Sequence, residues 1–175
     1  MEKQKYTAIV LAAGSGKRMN SKVHKQYLII QDRPVLYYSL KAFEDSAVDE
    51  IVLVVGKGEE EFCRKEIVDK YGISKVKAIV EGGKERYHSV FEGLKQTSDA
   101  DYVLIHDGAR PLVTGEIISR AAYAAMQDGA CVVGMPVKDT IKVADPDGFA
   151  QSTPDRSRLW QVQTPQAFSY PLVRA

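Results

Sequence analysis

The chain has 175 residues, of which 45% are apolar and 27% charged, as expected for one globular domain with a packed core. Its formal net charge of +1 supplies no basic field for a long polyanion, so nucleic-acid binding is not expected. No apolar run approaches the length of a membrane span, and the start MEKQKYT lacks the apolar core of a secretory signal. We therefore expect a cytoplasmic protein without membrane contact.

Short apolar runs alternate with helical patterns along the chain. Continuous apolar runs bounded by glycine are typical of buried parallel strands, and they occur at 6–11, 51–55, 76–80, 102–105 and 130–135. Apolar residues at helical spacing lie between them, at 35–43, 62–71, 90–94 and 117–125. This alternation predicts a doubly wound α/β fold with a mostly parallel sheet and helices on both faces. We expect Thr114 to cap the fourth helix, and the large aromatic residues Phe43, Phe91, Tyr102 and Trp160 to lie in the core.

The segment 140–153, with sequence TIKVADPDGFAQST, breaks the alternation. Asp145-Pro146-Asp147-Gly148 is typical of a type I turn followed by a bulge, so the segment predicts a β-hairpin. Its flanks are short and not very apolar, which places the hairpin outside the core. The residues alone leave open whether it is a solvated flap or an arm that packs on a partner subunit.

Glycine and charge follow four of the predicted strands. The loops are Gly14-Ser15-Gly16-Lys17-Arg18, Gly82-Gly83-Lys84-Glu85-Arg86, Asp107-Gly108-Ala109-Arg110-Pro111 and Val137-Lys138-Asp139-Thr140. Because ligands of open α/β sheets bind beyond the carboxyl ends of the strands, these loops predict one shared site.

The first loop has the properties of a phosphate cradle. Gly14 and Gly16 let backbone N–H groups approach anionic oxygens, and Lys17 and Arg18 add positive charge, with Lys25 a few residues on. The loop matches neither the Walker A pattern nor the dinucleotide fingerprint. A purely structural turn is the alternative.

Asp107 directly follows a buried strand, where a carboxylate is a natural ligand for Mg²⁺ or for a hydroxyl group. It could instead cap the next helix or pair with Arg110, and the residues alone leave both interpretations open. Arg110 could grip a second phosphate, and we expect His106 to orient its neighbours rather than act as a base. Two sets of cations with one or two carboxylates favour a phosphoryl or nucleotidyl displacement.

Five motifs in chain order carry a family resemblance. They are Leu11–Met19 (LAAGSGKRM), Lys25-Gln26-Tyr27, His106–Pro111 (HDGARP), Pro136–Thr140 (PVKDT) and Gln163–Gln166 (QTPQ). Together they resemble the sugar-phosphate nucleotidyltransferases and, among these, the 2-C-methyl-D-erythritol 4-phosphate cytidylyltransferases of the non-mevalonate isoprenoid pathway. The resemblance runs from Tyr6 to the last residue and implies a Rossmann-like nucleotidyltransferase fold.

The resemblance implies transfer of CMP from CTP to 2-C-methyl-D-erythritol 4-phosphate, with Mg²⁺ as cofactor. The products would be 4-diphosphocytidyl-2-C-methyl-D-erythritol and pyrophosphate. Arg18 and Lys25 would stabilise the α-phosphate in the transition state, and Asp107 would lie at the metal and the acceptor hydroxyls. The residues implied in nucleotide binding are Ala12, Ala13, Gly14, Ser15, Gly16, Gly82, Gly83 and Ser89. Those implied in binding the polyol phosphate are Asp107, Arg110, Thr140, Arg156 and Thr164.

The resemblance also bears on domain organisation. It implies one domain over 1–175, with 138–157 as an arm exchanged in a homodimer, so that Arg156 and Thr140 would act on the partner's site. The family continues for about fifty further residues, and 171–175 read like a first helical turn, so we expect part of the domain to be missing here.

Two other functions stay open from the sequence. Ribitol 5-phosphate cytidylyltransferases share the scaffold, and a CTP-binding, dimerising domain without catalysis is the second alternative. Lys84 is a departure, since the family commonly carries aspartate at this position.

Overall fold

A six-stranded sheet forms the centre of the protein in a computed structural model, which describes residues 3–14, 24–97 and 99–175. Its order is β5-β4-β1-β6-β10-β7. The strands are β1 (Tyr6–Ala12), β4 (Glu50–Val55), β5 (Val76–Glu81), β6 (Tyr102–Asp107), β7 (Ala130–Pro136) and β10 (Trp160–Ser169). Two short ribbons lie outside it, β2 (Ile29–Ile30) with β3 (Arg33–Pro34) and β8 (Val143–Ala144) with β9 (Ala150–Ser152).

Strand β1 is the centre of the parallel part of the sheet. It pairs in parallel with β4 on one side and β6 on the other, and Ile9 lies opposite Val52 and Ile105. All three side chains are almost completely buried, which explains the continuous apolar runs in the sequence. The predicted doubly wound, mostly parallel fold is confirmed.

The strand β10 was not among the predicted strands. It is antiparallel to both neighbours, β6 and β7, and so separates β7 from the parallel strands. The run 130–135 is therefore an outer strand of the sheet rather than one buried between parallel neighbours. Several of its side chains, Val132 among them, face water.

Helices cover both faces of the sheet. They are α1 (Val35–Glu44), α2 (Glu60–Cys63) with a following π-helical stretch (Arg64–Asp69), α3 (Arg86–Leu94), α4 (Gly115–Asp128) and α5 (Tyr170–Arg174). Alternate residues of β1 enter different cores: Ala8 and Val10 pack with α1 and α4, whereas Ile9 packs with α3. Thr114 caps α4 as predicted, because its Oγ1 accepts the N–H of Ile117 at 3.3 Å.

The hairpin of β8 and β9 protrudes as predicted. Asp145 accepts the N–H of Gly148 in the turn at 3.1 Å, and Gly148 adopts the positive φ of 88° that the bulge requires. Phe149 at the tip is 73% exposed, and β8 and β9 form a separate two-stranded sheet.

The core prediction for large aromatic residues holds in part. Phe43 is completely buried and Tyr102 half-buried, but Phe91 and Trp160 are more than half exposed, so the prediction is wrong for these two. Within the described ranges, no helix is long and apolar enough to cross a membrane. The cytoplasmic location stays a prediction.

Candidate active site

A pocket of about 330 Å³ opens at the carboxyl ends of β1 and β6. We call it the loop pocket. Its walls come from the loops after β1, β5 and β6 and from the turn that carries Lys25. The lining residues are Leu11, Ala12, Ala13, Gly14, Lys25, Gln26, Gly83, Lys84, Glu85, Arg86, Ser89, Asp107 and Ala109. In the loop predicted to cradle phosphate, Gly14 lines this pocket. Ser15, Gly16 and Arg18 lie outside the described residues.

Lys25 begins a single 3-10 turn, Lys25–Tyr27, that is held against the end of β1. The side chain of Gln26 is buried, and its amide donates to the carbonyl oxygens of Ala12 at 2.6 Å and Gly14 at 3.3 Å. These bonds satisfy two backbone acceptors that the end of the strand leaves free. The turn therefore presents Lys25 at the same pocket as the glycine loop.

The second glycine loop packs tightly between β1 and α3. A Cβ on Gly82 would lie 2.5 Å from the Cβ of Ala13 and 2.7 Å from Oγ of Ser89, so only glycine fits. Ser89 is buried and its Oγ accepts the N–H of Gly83 at 3.1 Å. Helix α3 thus fixes the loop that forms one wall of the pocket.

The carboxylate of Asp107 lies between two arginines. Arg86 Nη2 is 3.2 Å from Oδ1, and Arg110 Nε is 3.0 Å from Oδ2. Burial raises the pKa of Asp107, but the hydrogen bond from Arg110 and the charges of both arginines outweigh it, and the pKa lies below its usual value. Asp107 is therefore ionised at neutral pH, and the pairing with Arg110 that the sequence left open is present in the structure.

A larger groove of about 830 Å³ lies beyond Arg110, between α4 and the strands β7 and β10. We call it the α4 groove. Polar groups of His106, Arg110, Gln163 and Thr164 lie in its wall, while much of the remainder is apolar, including Trp160. Arg110 also donates to the side-chain carbonyl of Gln163. Because Asp107 lines the loop pocket and Arg110 the α4 groove, their ion pair joins the two spaces.

His106 orients this junction. Its ring is completely buried, Nε2 donates to the backbone carbonyl of Arg110 at 3.2 Å, and Nδ1 accepts the hydroxyl of Thr164 at 3.0 Å. Thr164 Oγ1 in turn accepts the N–H of Asp107 at 3.3 Å. Only a neutral ring can make both contacts, so the orienting role predicted for His106 agrees with the geometry.

Comparisons with known proteins agree over nearly the whole chain. The sequence profile of the 2-C-methyl-D-erythritol 4-phosphate cytidylyltransferases matches residues 6–175. A protein of that name from Lachnoclostridium phytofermentans is 53% identical over 171 residues, covering 98% of this chain and 73% of the relative. Another from Lachnospira eligens is 54% identical over 169 residues, covering 96% of this chain and 74% of the relative. The chain belongs to this family.

Solved structures of cytidylyltransferases of this kind share the fold. The 4-diphosphocytidyl-2C-methyl-D-erythritol synthase from Anaerococcus prevotii is 35% identical with a TM-score of 0.81, covering 97% of this chain and 71% of that one. The enzyme from Thermus thermophilus is 30% identical with a TM-score of 0.72, covering 95% of this chain and 71% of that one. The predicted family is therefore confirmed.

The structure gathers most of the described residues predicted for the cytidylyltransferase site. Those lining the loop pocket are Ala12, Ala13, Gly14, Lys25, Gly83, Ser89 and Asp107. Gly82 packs behind the wall, and Arg110 and Thr164 line the adjoining groove. Thr140 and Arg156 line neither space: both are exposed, and Arg156 donates to the carbonyl of Lys138 at 2.7 Å.

Arg86 ends the second glycine loop in the sequence, and no role was predicted for it. Besides Asp107, it reaches the side-chain oxygen of Gln166 at 3.1 Å and so ties α3 to β10. Gln26 and Gln163 were also left without roles, although both lie in family motifs. The sequence did hold a signal for Arg86, because the loop that it ends lies at the same edge of the predicted sheet as Asp107.

The buried ring of His106 predicts a pH-dependent stability. Burial lowers its pKa to about 4, against 6.5 for a free histidine, so the unfolded chain takes up the proton first as the pH falls. The stabilising contribution of the neutral ring is present above pH 6.5 and is lost as the pH falls towards 4. Between pH 7 and pH 5 the wild type should lose about 2 kcal/mol of unfolding free energy through this group.

Urea denaturation of the wild type and of His106→Gln at both pH values would measure this loss. Groups that titrate elsewhere affect both proteins alike, so the difference between the two losses isolates His106. Equal losses in the two proteins would contradict the prediction.

Proposed function

We propose that this chain, a cytidylyltransferase by family, transfers CMP from CTP to 2-C-methyl-D-erythritol 4-phosphate through its two adjoining spaces. The observation that carries the proposal is the ion pair of Asp107 and Arg110, which joins the loop pocket to the α4 groove. CTP in the loop pocket would then place its α-phosphate next to an acceptor in the groove.

The loop pocket supplies the groups that a nucleoside triphosphate needs. Its volume of about 330 Å³ lies at the lower end of the range for small-molecule sites. Backbone N–H groups of the first loop, Gly14 with Ser15 and Gly16, would wrap the triphosphate. Cytosine and ribose would lie against Ala12, Ala13, Gly82, Gly83 and Ser89.

The acceptor phosphate is the nucleophile. One of its oxygens attacks the α-phosphorus of CTP in line, the new P–O bond forms, and the bond to the bridging oxygen of pyrophosphate breaks. Lys25 and Arg18 would neutralise the charge that builds on the α-phosphate, while Arg110 and Thr164 hold the acceptor. Asp107 would bind the acceptor hydroxyls as well as the metal. No protein nucleophile is required.

Mg²⁺ is the cofactor that we propose for this site. No cluster of three or more metal-binding side chains occurs among the described residues, so these residues do not form a metal site from protein ligands alone. Asp107 fits the usual alternative, one ionised carboxylate together with substrate phosphates. Arg86 gives its Oδ1 two hydrogen bonds, whereas its Oδ2 takes one side-chain hydrogen bond among the described residues, from Arg110, and so keeps a lone pair for a metal. When bound, Mg²⁺ would neutralise negative charge on the triphosphate.

The hairpin arm supports a homodimer. Residues 138–157 are almost all exposed, and within them the apolar side chains of Val143 and Phe149 are 47% and 73% exposed. The α4 groove and Trp160 offer an apolar surface of matching character. We propose that each arm crosses to the other subunit and brings Arg156 and Thr140 to its acceptor site.

Turnover with two acceptors tests the assignment. We expect pyrophosphate release from CTP with 2-C-methyl-D-erythritol 4-phosphate, and a kcat/KM at least about a hundredfold lower with ribitol 5-phosphate. Equal or greater activity with ribitol 5-phosphate would contradict the acceptor assignment. CTP binding by calorimetry without pyrophosphate release would instead favour a binding domain.

Mixed dimers test the exchange of arms. If Arg156 acts across the interface, each site takes Lys25 from one subunit and Arg156 from the other. Lys25→Ala and Arg156→Ala then remove groups that different subunits contribute to a site. Equal mixtures of the two inactive variants should then regain roughly a quarter of wild-type activity, since half of the dimers contain one site with neither change.

The control for this experiment is a mixture of Lys25→Ala with a Lys25→Ala, Arg156→Ala double variant, which can form no intact site. If the first mixture stays as inactive as this control while sedimentation shows mixed dimers, Arg156 acts within its own chain.

A further inference from the structure

The turn that carries Lys25 has a second anchor, Glu59, which does not line the loop pocket. Glu59 lies at the start of α2, and its carboxylate contacts the residue before the turn, His24, and the last residue of the turn, Tyr27. Its Oε2 accepts the hydroxyl of Tyr27 at 2.7 Å, and its Oε1 lies 3.0 Å from Nδ1 of His24. One carboxylate thus holds the chain on both sides of Lys25.

The carboxylate is itself fixed by its surroundings. Oε2 also accepts the N–H of Gly56 at 3.0 Å, and a Cβ on Gly56 would lie 2.7 Å from that oxygen, so a larger residue there would displace the carboxylate. The glutamate therefore takes its position from the end of β4 and the start of α2. Both belong to the rigid core, since Val55 and Cys63 are completely buried.

The hydrogen bonds among Glu59, Tyr27 and Cys63 have one consistent assignment of donors and acceptors. The Tyr27 hydroxyl lies 3.1 Å from Sγ of Cys63 and, because it donates to Glu59, it accepts from the thiol. Burial raises the pKa of Tyr27 well above its usual range and that of Cys63 to about 11, so both stay protonated. Phe62 packs edge-on against the Tyr27 ring at 5.2 Å.

We propose that Glu59 is a positioning residue that fixes Lys25 at the loop pocket. The turn has only three residues, so tethers at His24 and Tyr27 restrict the backbone of Lys25 directly. Gln26 fixes the same turn to the end of β1, and Glu59 fixes it to α2. The long lysine side chain then leaves from a fixed point, and less of its motion has to be lost in the transition state.

This inference rests on the proposed role of Lys25 in stabilising the α-phosphate. Glu59 lines neither the loop pocket nor the α4 groove, so it acts only through the turn. Loss of Glu59 should therefore lower kcat and leave CTP affinity almost unchanged.

Steady-state kinetics of the full chain test the proposal. Glu59→Ala should lower kcat by about 10- to 100-fold, the scale for misplacing a catalytic group by about 1 Å, with KM for CTP within about threefold of wild type. Glu59→Gln should recover most of the loss, because its carbonyl oxygen can accept from Tyr27 and Gly56 while its amide donates to His24. Tyr27→Phe, which keeps the contact with Phe62, should lower kcat by about 3- to 10-fold and serves if Glu59→Ala fails to fold.

A double-mutant cycle separates positioning from general stability. In a Lys25→Ala background, Glu59→Ala should lower kcat by less than about twofold, because the group that it positions is gone. Glu61→Ala is the matched control: Glu61 lies two residues further on, in α2, is exposed and forms a surface pair with Lys65, and its loss should leave kcat unchanged.

Three results would overturn the proposal. Normal kcat in Glu59→Ala would do so, as would equal impairment of Glu59→Gln and Glu59→Ala, or a loss of the same size with and without Lys25. A Lys25→Ala variant with normal turnover would instead contradict the proposed function, so the two failures can be told apart.

Discussion

Replacing Lys25 with alanine should lower kcat by about a hundred- to a thousandfold, the scale for loss of one preorganised donor to the transition state. Lys25 lines the loop pocket, and its turn is fixed there by the buried side chain of Gln26. A rigid cation costs little reorganisation when charge builds on the α-phosphate, so its effect should appear in kcat. We expect the same for Arg18→Ala. Pyrophosphate release at saturating substrate concentrations measures both.

An exposed lysine provides the control for Lys25→Ala. Lys65 forms a surface pair with Glu61 and lines neither the loop pocket nor the α4 groove, so Lys65→Ala should leave turnover unchanged. If Lys25→Ala kept near-normal kcat while KM for CTP rose, Lys25 would bind only the ground-state phosphate. That result would contradict the role proposed here.

The parallel strands could be predicted from the sequence because burial on both faces leaves a continuous apolar run. Strand β10 could not, since Trp160–Ser169 alternates polar with apolar residues and contains Pro165, which argues against a strand with neighbours on both sides. The register of β10 against β7 shifts between Val162 and Gln166, so that Pro165 lies within the irregularity. Pairing with β6 and β7, rather than local propensity, places this strand.

The exposed aromatic residues show a second limit. Size and apolarity predicted burial for Trp160, yet its side chain lies at the α4 groove and is 63% exposed. In the sequence, an apolar residue at a binding surface looks the same as an apolar residue in the core. Only the fold around it distinguishes the two.

The site could be predicted where topology alone brings residues together. Lys25 and Asp107 meet because the loops after β1 and β6 end at the same edge of the sheet. The loop after β5 ends at this edge too, so the approach of Arg86 to Asp107 follows the same rule. The contact of Glu59 with Tyr27 could not be foreseen, because it joins segments far apart in the chain and depends on how α2 packs, which the sequence pattern does not specify.

Asp107→Asn should lower kcat/KM by at least about a hundredfold, the second large effect that we expect. The amide keeps the size of the side chain but removes the charge that holds Arg86 and Arg110 and that would bind Mg²⁺. Asp128→Asn, the same change at the exposed end of α4, is the matched control and should have no effect. Turnover measured over a range of Mg²⁺ concentrations gives both the size and the origin of the loss.

The Mg²⁺ dependence separates the two roles of the carboxylate. If Asp107 binds the metal, the variant should need a higher Mg²⁺ concentration for half-maximal turnover, and added Mg²⁺ should restore part of the activity. If Asp107 only orients the two arginines, the loss should be the same at every Mg²⁺ concentration, because the misplaced guanidinium groups do not respond to the metal. The second result would contradict the metal-binding role and leave the orientation of Arg86 and Arg110 as the contribution that the charge makes.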